Sequence, residues 1–183
     1  MTAFVEKLSY VSDYKIVRQD LDTVLANYVN WLPYNQIGLR HRDNCQDQWK
    51  DSCGGLHDPE TKLPISSEAE FSNWNDYCPD YTKQIVTELA LHEKINLGRV
   101  RYMLAMPKTG LSMHFDKEIR YHLVLQTNIS AIFGECFRNN AVRSICYHLP
   151  ANGHWYKVNT RKEHFIYNGG WEPRIHLVVC PAS

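Results

Sequence analysis

The sequence predicts a mainly antiparallel β fold, a sandwich or barrel, with helices flanking it. Short strand-like runs separated by turn residues occupy the chain after Gly98, and the two clear helical patterns lie before it. A chain of 183 residues with 44% hydrophobic content suffices for one substantial core. We therefore expect one domain over residues 1–183, with helices and a long loop in residues 1–98 and a β core in residues 99–183.

Two helices are predicted in the amino-terminal part. Residues 20–31 place apolar side chains at helical spacing behind Asp20, a residue type that caps helices. Residues 80–95 have the same spacing and are followed by Asn96-Leu97-Gly98, a helix-stop signal. Between the helices, residues 35–74 are polar and rich in Gly, Pro, Asp and Ser, which predicts an irregular, lid-like loop with short strands.

The predicted strands of the β core are short and are flanked by turn residues. They comprise residues 99–106, 120–127, 131–133, 144–149, 154–158, 163–167 and 174–180. Their regular spacing along the chain is typical of an antiparallel sandwich or barrel.

Composition gives no support to polyanion or membrane partners. The 20 Lys and Arg residues balance the 20 Asp and Glu residues, so no net charge attracts nucleic acid. The amino terminus is charged where a signal peptide would be apolar, and no apolar run approaches bilayer length. The 6 cysteines fit reduced thiols in a chain of this size. We expect a cytoplasmic protein with no nucleic-acid or membrane partner, and the oligomeric state is left open.

His114-Phe115-Asp116 is the first candidate for chemistry. Residues two apart in a strand point to the same face, so the imidazole and the carboxylate could bind one ion. The tripeptide alone is a weak signal, since it arises by chance in many proteins. It predicts a metal site only together with a third ligand.

The carboxyl-terminal segment 163–176 offers that ligand. Asn168-Gly169-Gly170 supplies turn chemistry, and a hairpin folded symmetrically about Gly169 would set His164 opposite Arg174. A metal-binding imidazole beside a permanent cation indicates an anion that bridges the two.

Two histidines and a carboxylate form the facial triad of non-haem iron(II) oxygenases. Its three open coordination positions can take two oxygens of a 2-oxo acid and one dioxygen molecule. Arg120 and His122 share the parity of His114 and Asp116, and they would face the same anion if the strand continued in phase.

The order and spacing of these motifs resemble those of the aspartyl/asparaginyl β-hydroxylase-like family, which includes bacterial cis-proline hydroxylases. The matching stretches are His114-Phe-Asp116, Arg120-Tyr-His122-Leu-Val-Leu-Gln-Thr-Asn128 and residues 164–178, preceded by residues 99–110. The resemblance covers roughly the carboxyl-terminal half of the chain, and the joint spacing is more specific than any single motif.

The resemblance implies a double-stranded β-helix, a jelly-roll, cupin-like barrel with flanking helices. It implies an iron(II) site with the ligands His114, Asp116 and His164. It further implies that 2-oxoglutarate is the co-substrate consumed with O2, that its C5 carboxylate pairs with Arg174, and that Arg120 and His122 lie nearby. No catalytic side chain beyond the metal ligands is required.

The predicted activity is hydroxylation of an amino acid, free and proline-like or other, or of an amino-acid residue in a protein. The low-specificity candidates for substrate contact lie in the long loop and are Gln36, Arg40, Arg42 and Trp49. Two other interpretations stay open: a non-redox cupin-type metalloenzyme such as an isomerase or lyase, and a non-catalytic barrel that binds a small anion. A second metal set has zinc-ligand residue types, although its spacing fits no known zinc module: His41, Cys45, Cys53 and His57.

Overall fold

The computed structural model describes residues 2–31, 34–58, 60–61, 63–139 and 141–182. Within these residues lie three α-helices, one 3-10 turn at Glu68–Glu70 and twelve strands. The helices are α1 Tyr14–Asn27, α2 Gln48–Asp51 and α3 Asp80–Glu93. The strands are β1 Val5–Val11, β2 Gln36–Gly38, β3 Arg40–His41, β4 Asn73–Trp74, β5 Asn96–Ala105, β6 Thr109–His114, β7 Arg120–Gln126, β8 Ala131–Asn139, β9 Ala141–His148, β10 His154–Val158, β11 His164–Asn168 and β12 Arg174–Ala182.

The chain divides into two compact units. The first unit contains Met1–Tyr14 and Leu104–Leu177, and the second contains Lys15–Met103 and Val178–Ser183. Strand β12 passes from the first unit to the second. The expectation of a single domain over residues 1–183 stays a prediction.

The first unit contains two antiparallel layers. One layer has the strand order β1-β10-β7-β12, and the other has the order β6-β11-β8-β9. Buried apolar side chains fill the unit's core: Phe4, Val124, Phe133, Leu149, Tyr156 and Val158. Each side chain of this size stabilises the fold by about 1.5 to 3 kcal/mol when it is fully buried. The predicted fold class, a double-stranded β-helix with flanking helices, is confirmed.

Strands β1 and β6 were not predicted from the sequence. Strand β1 carries Glu6, Lys7 and Ser9 and buries only Leu8, so it lacks a clean apolar alternation. Strand β6 is exposed along most of its length. Both strands lie at sheet edges, where one face or one side meets solvent and the sequence signal is weak.

Helix α1 begins and ends earlier than the predicted residues 20–31. Its buried stripe is Val17, Leu21 and Val24, which have the spacing of one helix face. Asp20 does not cap the helix, because it lies inside it; its carboxylate accepts a hydrogen bond from Thr82 Oγ1 at 2.8 Å. The predicted helix start is therefore too late in the chain.

Helix α3 begins at the predicted residue and ends two residues before the predicted end. It runs from Asp80, whose charge favours a helix amino terminus, to Glu93. Lys94 takes the left-handed conformation with φ 54° and stops the helix. Asn96-Leu97-Gly98, predicted as the stop signal, already belongs to β5.

The segment 35–74 contains short elements held by buried arginines of the second unit. Arg40 donates to the backbone oxygens of Leu97, Gly98 and Ser72 at 2.5 to 3.0 Å. Arg99 forms a buried ion pair with Glu68 at 2.8 Å. Among the described residues, no helix is long and apolar enough to cross a membrane.

Candidate metal centre

Two histidines face each other across neighbouring strands of the first unit. His114 ends β6, His164 begins β11, and the two are direct partners in the antiparallel ladder. Paired residues project their side chains to the same face, which brings the ring centroids to 4.3 Å. The strand pairing therefore creates the two-histidine half of the site.

Asp116 completes the group from the loop after β6 and not from the strand itself. Its backbone N–H donates to the carbonyl of Thr160 at 2.8 Å, which fixes the loop. One ligand atom from each of His114, Asp116 and His164 lies within 4.8 Å of the other two. The structure therefore brings together the three predicted ligands, although their role as ligands stays a prediction.

Both imidazoles have a fixed tautomer. His114 Nδ1 lies 2.7 Å from the carbonyl oxygen of Ser112, and His164 Nδ1 lies 2.9 Å from that of Lys162. A carbonyl oxygen only accepts, so each Nδ1 carries the proton and each Nε2 offers a lone pair. Burial also lowers the pKa of His164, which favours the neutral form that binds metals.

Two atoms of the group are buried without a hydrogen-bond partner among the described residues. They are Asp116 Oδ2 and His164 Nε2, and they lie 3.8 Å from each other. Buried polar atoms normally have partners, because an unsatisfied one costs about 1 to 3 kcal/mol. A cation between them would satisfy both, and a donor set of two imidazoles and one carboxylate fits iron(II).

Arg120 lies against Asp116. Its Nη2 donates to Asp116 Oδ1 at 2.6 Å, which leaves the opposite carboxylate oxygen, Oδ2, directed at His164. The sequence prediction assigned Arg120 to the co-substrate. The contact in the structure is with the carboxylate of Asp116, a predicted metal ligand.

Arg174 is a buried cation at the start of β12. Burial lowers its pKa to about 9. Its guanidinium stacks over Phe133 at 4.7 Å and donates to His176 Nδ1 at 3.1 Å. Within the described part of the chain, no carboxylate pairs with Arg174. An anion from outside the protein would supply the missing partner.

His122 and His176 surround this arginine. His176 Nδ1 lies 3.3 Å from His122 Nδ1, and the His122 ring meets Phe133 edge-on at 5.1 Å. Burial and the charge of Arg174 lower the pKa of His176 well below its usual range. His176 is thus a buried, neutral imidazole that is hydrogen-bonded to Arg174.

The predicted hairpin that sets His164 opposite Arg174 is wrong. Strand β11 pairs with β6 and β8, whereas β12 belongs to the other layer. The connecting turn is held by Asn168, whose amide donates to the carbonyls of Ala105 and Glu172 at 3.0 and 2.8 Å. These bonds fix a crossover between layers in place of a tight turn, so His164 and Arg174 come from different sheets.

The proposed substrate residues of the long loop have partners within the second unit. Gln36 Oε1 accepts from Arg101 at 3.0 Å, and Arg42 pairs with Asp51 at 2.6 Å. The Trp49 ring lies under Lys50 at 4.9 Å. Arg40 is buried and donates to backbone oxygens. Substrate contact by the four residues stays a prediction.

The second candidate metal set does not assemble. Among the described residues, the His114, Asp116 and His164 group alone has the ligand spacing of a metal site. His41 Nδ1 contacts Asn75 Oδ1 at 2.8 Å, and Cys53 Sγ donates to the Trp49 carbonyl at 3.1 Å. All six cysteines are free thiols.

Sequence reasoning missed a buried carboxylate beside the histidines. Glu135 on β8 is the ladder partner of His164 and forms an ion pair with Lys162 at 2.6 Å. Tyr147 donates to the same carboxylate at 3.2 Å. The pairing register of β8 and β11 places Glu135 beside His164, and no local sequence motif predicts this position.

The fold resembles solved structures of oxygenases. An oxidoreductase of the 2OG-Fe(II) oxygenase family from Burkholderia pseudomallei superimposes with a TM-score of 0.55 at 12% identity, covering 98% of this chain and 84% of that chain. A Pseudomonas putida prolyl-4-hydroxylase superimposes with a TM-score of 0.51 at 12% identity, covering 99% of this chain and 93% of that chain. At this identity the similarity shows the fold alone. Among curated protein sequences, none matches this chain.

A double-stranded β-helix with a His-Asp-His group defines the class of 2-oxoglutarate- and iron(II)-dependent oxygenases. The family model for aspartyl/asparaginyl beta-hydroxylase matches residues 11–180. The chain therefore belongs to the aspartyl/asparaginyl beta-hydroxylase family. It is an enzyme, a 2-oxoglutarate-dependent hydroxylase.

Proposed function

We propose that this protein hydroxylates an amino acid, either free or as a residue of a protein, at an iron(II) held by His114, Asp116 and His164. In this proposal Arg174 binds the C5 carboxylate of 2-oxoglutarate. The bound iron and co-substrate supply the oxidation of an unactivated C–H bond with O2. The protein's own groups hold and orient the reactants.

The observation that carries the proposal is that two sites in the first unit lack partners among the described residues. Asp116 Oδ2 and His164 Nε2 have no hydrogen-bond partner there, and a cation would provide one. The buried guanidinium of Arg174 pairs with no carboxylate in the same described ranges, and an anionic ligand would provide one. A metal-chelating dicarboxylate such as 2-oxoglutarate satisfies both needs at once, because one end binds the metal and the other binds the guanidinium.

The residues around these groups prepare them for binding. The carbonyls of Ser112 and Lys162 keep both Nε2 lone pairs available for the metal. Phe133 and His176 fix the Arg174 guanidinium, so little side-chain freedom is lost when an anion binds. The site is thus organised before either ligand arrives.

The predicted contact of Arg120 and His122 with 2-oxoglutarate stays a prediction, and the structure adds a second contact for each residue. Arg120 holds Asp116 by its outer oxygen, which supports one-oxygen ligation of the metal. His122 orients His176, which in turn contacts Arg174. Both residues act beside the co-substrate site, and Arg174 is its anchor.

The proposed substrate contacts lie in the long loop and are Gln36, Arg40, Arg42 and Trp49. Six free thiols support a reducing, cytoplasmic location. Family membership favours the hydroxylase over a non-redox cupin-type enzyme or an anion-binding barrel.

The test is succinate release from 2-oxoglutarate by protein loaded anaerobically with iron(II) and then exposed to O2. We expect turnover that is lost in His164→Ala and in Arg174→Ala. The matched controls are His92→Ala, an exposed histidine of α3, and Arg161→Ala, an exposed arginine. Equal turnover in wild type and His164→Ala would rule out the proposed metal site, and no turnover with tight metal binding would favour the non-redox alternative.

A further inference from the structure

A cross-strand row connects the proposed metal ligands to solvent. His114 on β6 pairs with His164 on β11, His164 pairs with Glu135 on β8, and Glu135 pairs with Ile145 on β9. Partners in an antiparallel ladder project to the same face, so the four side chains form one line. Exposure rises from 1% at His164 and 4% at Glu135 to 52% at Ile145. The face that carries the histidines therefore opens to solvent at β9.

Glu135 holds an ion pair in the middle of this row. Its Oε1 accepts from Lys162 Nζ at 2.6 Å, and its Oε2 accepts from the Tyr147 hydroxyl at 3.2 Å. A carboxylate offers about four acceptor positions and an ammonium group offers three donors, so both charges keep capacity for further bonds. The pair can receive a second, complementary pair of charges.

The stability of the fold does not explain this ion pair. The Glu135 side chain is buried and the Lys162 side chain is 32% exposed, and an apolar residue would stabilise the buried position at least as well as Glu135 does. The core beside it is apolar and aromatic, with the Phe4 ring tilted against those of Tyr147 and His164 at centroid distances of 5.4 and 6.1 Å. A buried carboxylate is costly in such surroundings unless it is paired, so its position one strand from the histidines suits a charged ligand.

We propose that Glu135, Lys162 and Tyr147 bind the charged head group of a free α-amino acid, an inference that rests on the proposed function. The carboxylate of Glu135 accepts from the α-ammonium, and the ammonium of Lys162 donates to the α-carboxylate. Tyr147 donates to Glu135 and keeps its carboxylate in place. A residue inside a polypeptide has neither charge, so this site selects the free amino acid.

The strand spacing places the rest of the substrate at the metal. Neighbouring strands lie about 4.8 Å apart, so a head group at Glu135 is one strand spacing from His164. The side-chain carbons of the amino acid, one to three bonds from the head group, then reach the space beside the three ligands. The expected site of oxidation is thus a side-chain carbon.

The first test needs only the wild-type protein. Succinate release is measured with a mixture of proteinogenic L-α-amino acids and, separately, with the same mixture as N-acetyl amides. We expect stimulation by the free amino acids and at least about ten-fold less by the capped ones, because two charge-assisted hydrogen bonds are lost. Equal stimulation by both mixtures would overturn the head-group site and leave the hydroxylase intact.

Variants then test which charged group of the substrate Glu135 and Lys162 each bind. For the stimulating amino acid, Glu135→Gln should raise KM more than it changes kcat. It should also reduce the enzyme's preference for the free amino acid over its N-acetyl derivative. Lys162→Met should reduce the preference for the free amino acid over its carboxamide. The matched control is Arg161→Met, which removes the neighbouring exposed cation that pairs with Glu118. It should keep both preferences.

The outcomes separate the two proposals. Unchanged preferences in Glu135→Gln and Lys162→Met would refute the head-group site, since a merely structural pair would lower turnover of free and capped substrates equally. If either variant fails to fold by circular dichroism, the wild-type comparison decides alone. Turnover of 2-oxoglutarate that neither mixture stimulates would overturn the head-group site, and no turnover at all would overturn the proposed function with it.

Discussion

His114 and His164 are oriented by the same device on neighbouring strands. Each Nδ1–H donates to the carbonyl oxygen two residues earlier in the chain, at 2.7 Å to Ser112 and 2.9 Å to Lys162. Because the two residues are also ladder partners, their Nε2 atoms converge without help from a distant carboxylate. The backbone of β6 and β11 therefore sets the geometry of the site, and substitutions of the histidines should act on metal binding first.

Metal binding should stabilise the fold through this pair. Cobalt(II) at about one hundred times its Kd should raise the free energy of unfolding by about 2.7 kcal/mol. His164→Ala should abolish most of this gain, whereas His92→Ala on α3 should keep it. Urea unfolding with and without the metal measures both. A full gain in His164→Ala would contradict the assignment.

Arg174→Met should separate binding from stability. It removes a buried cation that no described carboxylate neutralises, so the ligand-free protein should gain about 1 to 3 kcal/mol of unfolding free energy. Affinity for 2-oxoglutarate should fall about 100-fold with the charge-assisted bonds. Urea unfolding and calorimetric titration of the cobalt(II) protein test the two effects. A destabilised variant with normal affinity would refute this role.

Arg120→Met should weaken the metal and not only the co-substrate. Arg120 fixes the outer oxygen of Asp116, and loss of such a partner typically lowers metal affinity by about 10 to 100-fold. The measurement is cobalt(II) titration in the absence of 2-oxoglutarate. Arg161→Met provides the control. Unchanged metal affinity with weaker 2-oxoglutarate binding would return Arg120 to the role the sequence predicted.

Gly134 leaves room for an aromatic ring on the neighbouring strand. A Cβ at this position would lie 2.0 Å from Cε1 of Phe165, its partner in the β8–β11 ladder. Gly134→Ala should therefore cost about 1 to 3 kcal/mol, and much of the cost should vanish in a Phe165→Ala background. Gly55→Ala, where the nearest atom is 3.9 Å away, should change stability little. A double-mutant cycle by urea unfolding that gave simple additivity would contradict the clash.

The Glu68–Arg99 pair should make the second unit sensitive to acid. Burial raises the pKa of Glu68, but the hydrogen bond and charge of Arg99 outweigh it and hold the pKa below its usual value. A carboxyl with a lowered folded pKa contributes stability above its unfolded pKa of about 4.3, and this is lost as the pH falls through the folded pKa. Glu68→Gln should lower the free energy of unfolding by about 3 to 5 kcal/mol at neutral pH. It should also reduce the decrease in this free energy as the pH falls. Asp22→Asn, in an exposed pair, should do neither.

The sequence was sufficient to predict the fold class and to single out the three residues His114, Asp116 and His164, which the structure brings together. Strands β7, β10 and β12 begin at the predicted residues because short runs rich in apolar side chains, bounded by turn residues, mark them locally. The strand starts depend on residues close together in the chain. The set of His114, Asp116 and His164 was recognised from the joint spacing of motifs that resembles one family.

The pairing of strands depends on contacts between residues far apart in the chain, and it was predicted less well. The hairpin between His164 and Arg174 had correct turn chemistry, yet Asn168 holds the connection as a crossover through distant carbonyls. Glu135 reached the site through a register that no local pattern encodes. Arg120 shared the predicted parity but bound Asp116, since the loop after β6 returns toward it.

The edge position of β6 links metal supply to protein lifetime. This strand is the outermost of its sheet, and it presents Leu111 and Met113 to solvent at 51% and 44% exposure. A cation bound between His114, Asp116 and His164 would fasten the end of that edge to β11. Without the cation the edge should fray and offer unpaired backbone to other chains, which is the route to aggregation. Iron starvation would then deplete the enzyme by precipitation or proteolysis, and restored iron would require new synthesis before activity returned.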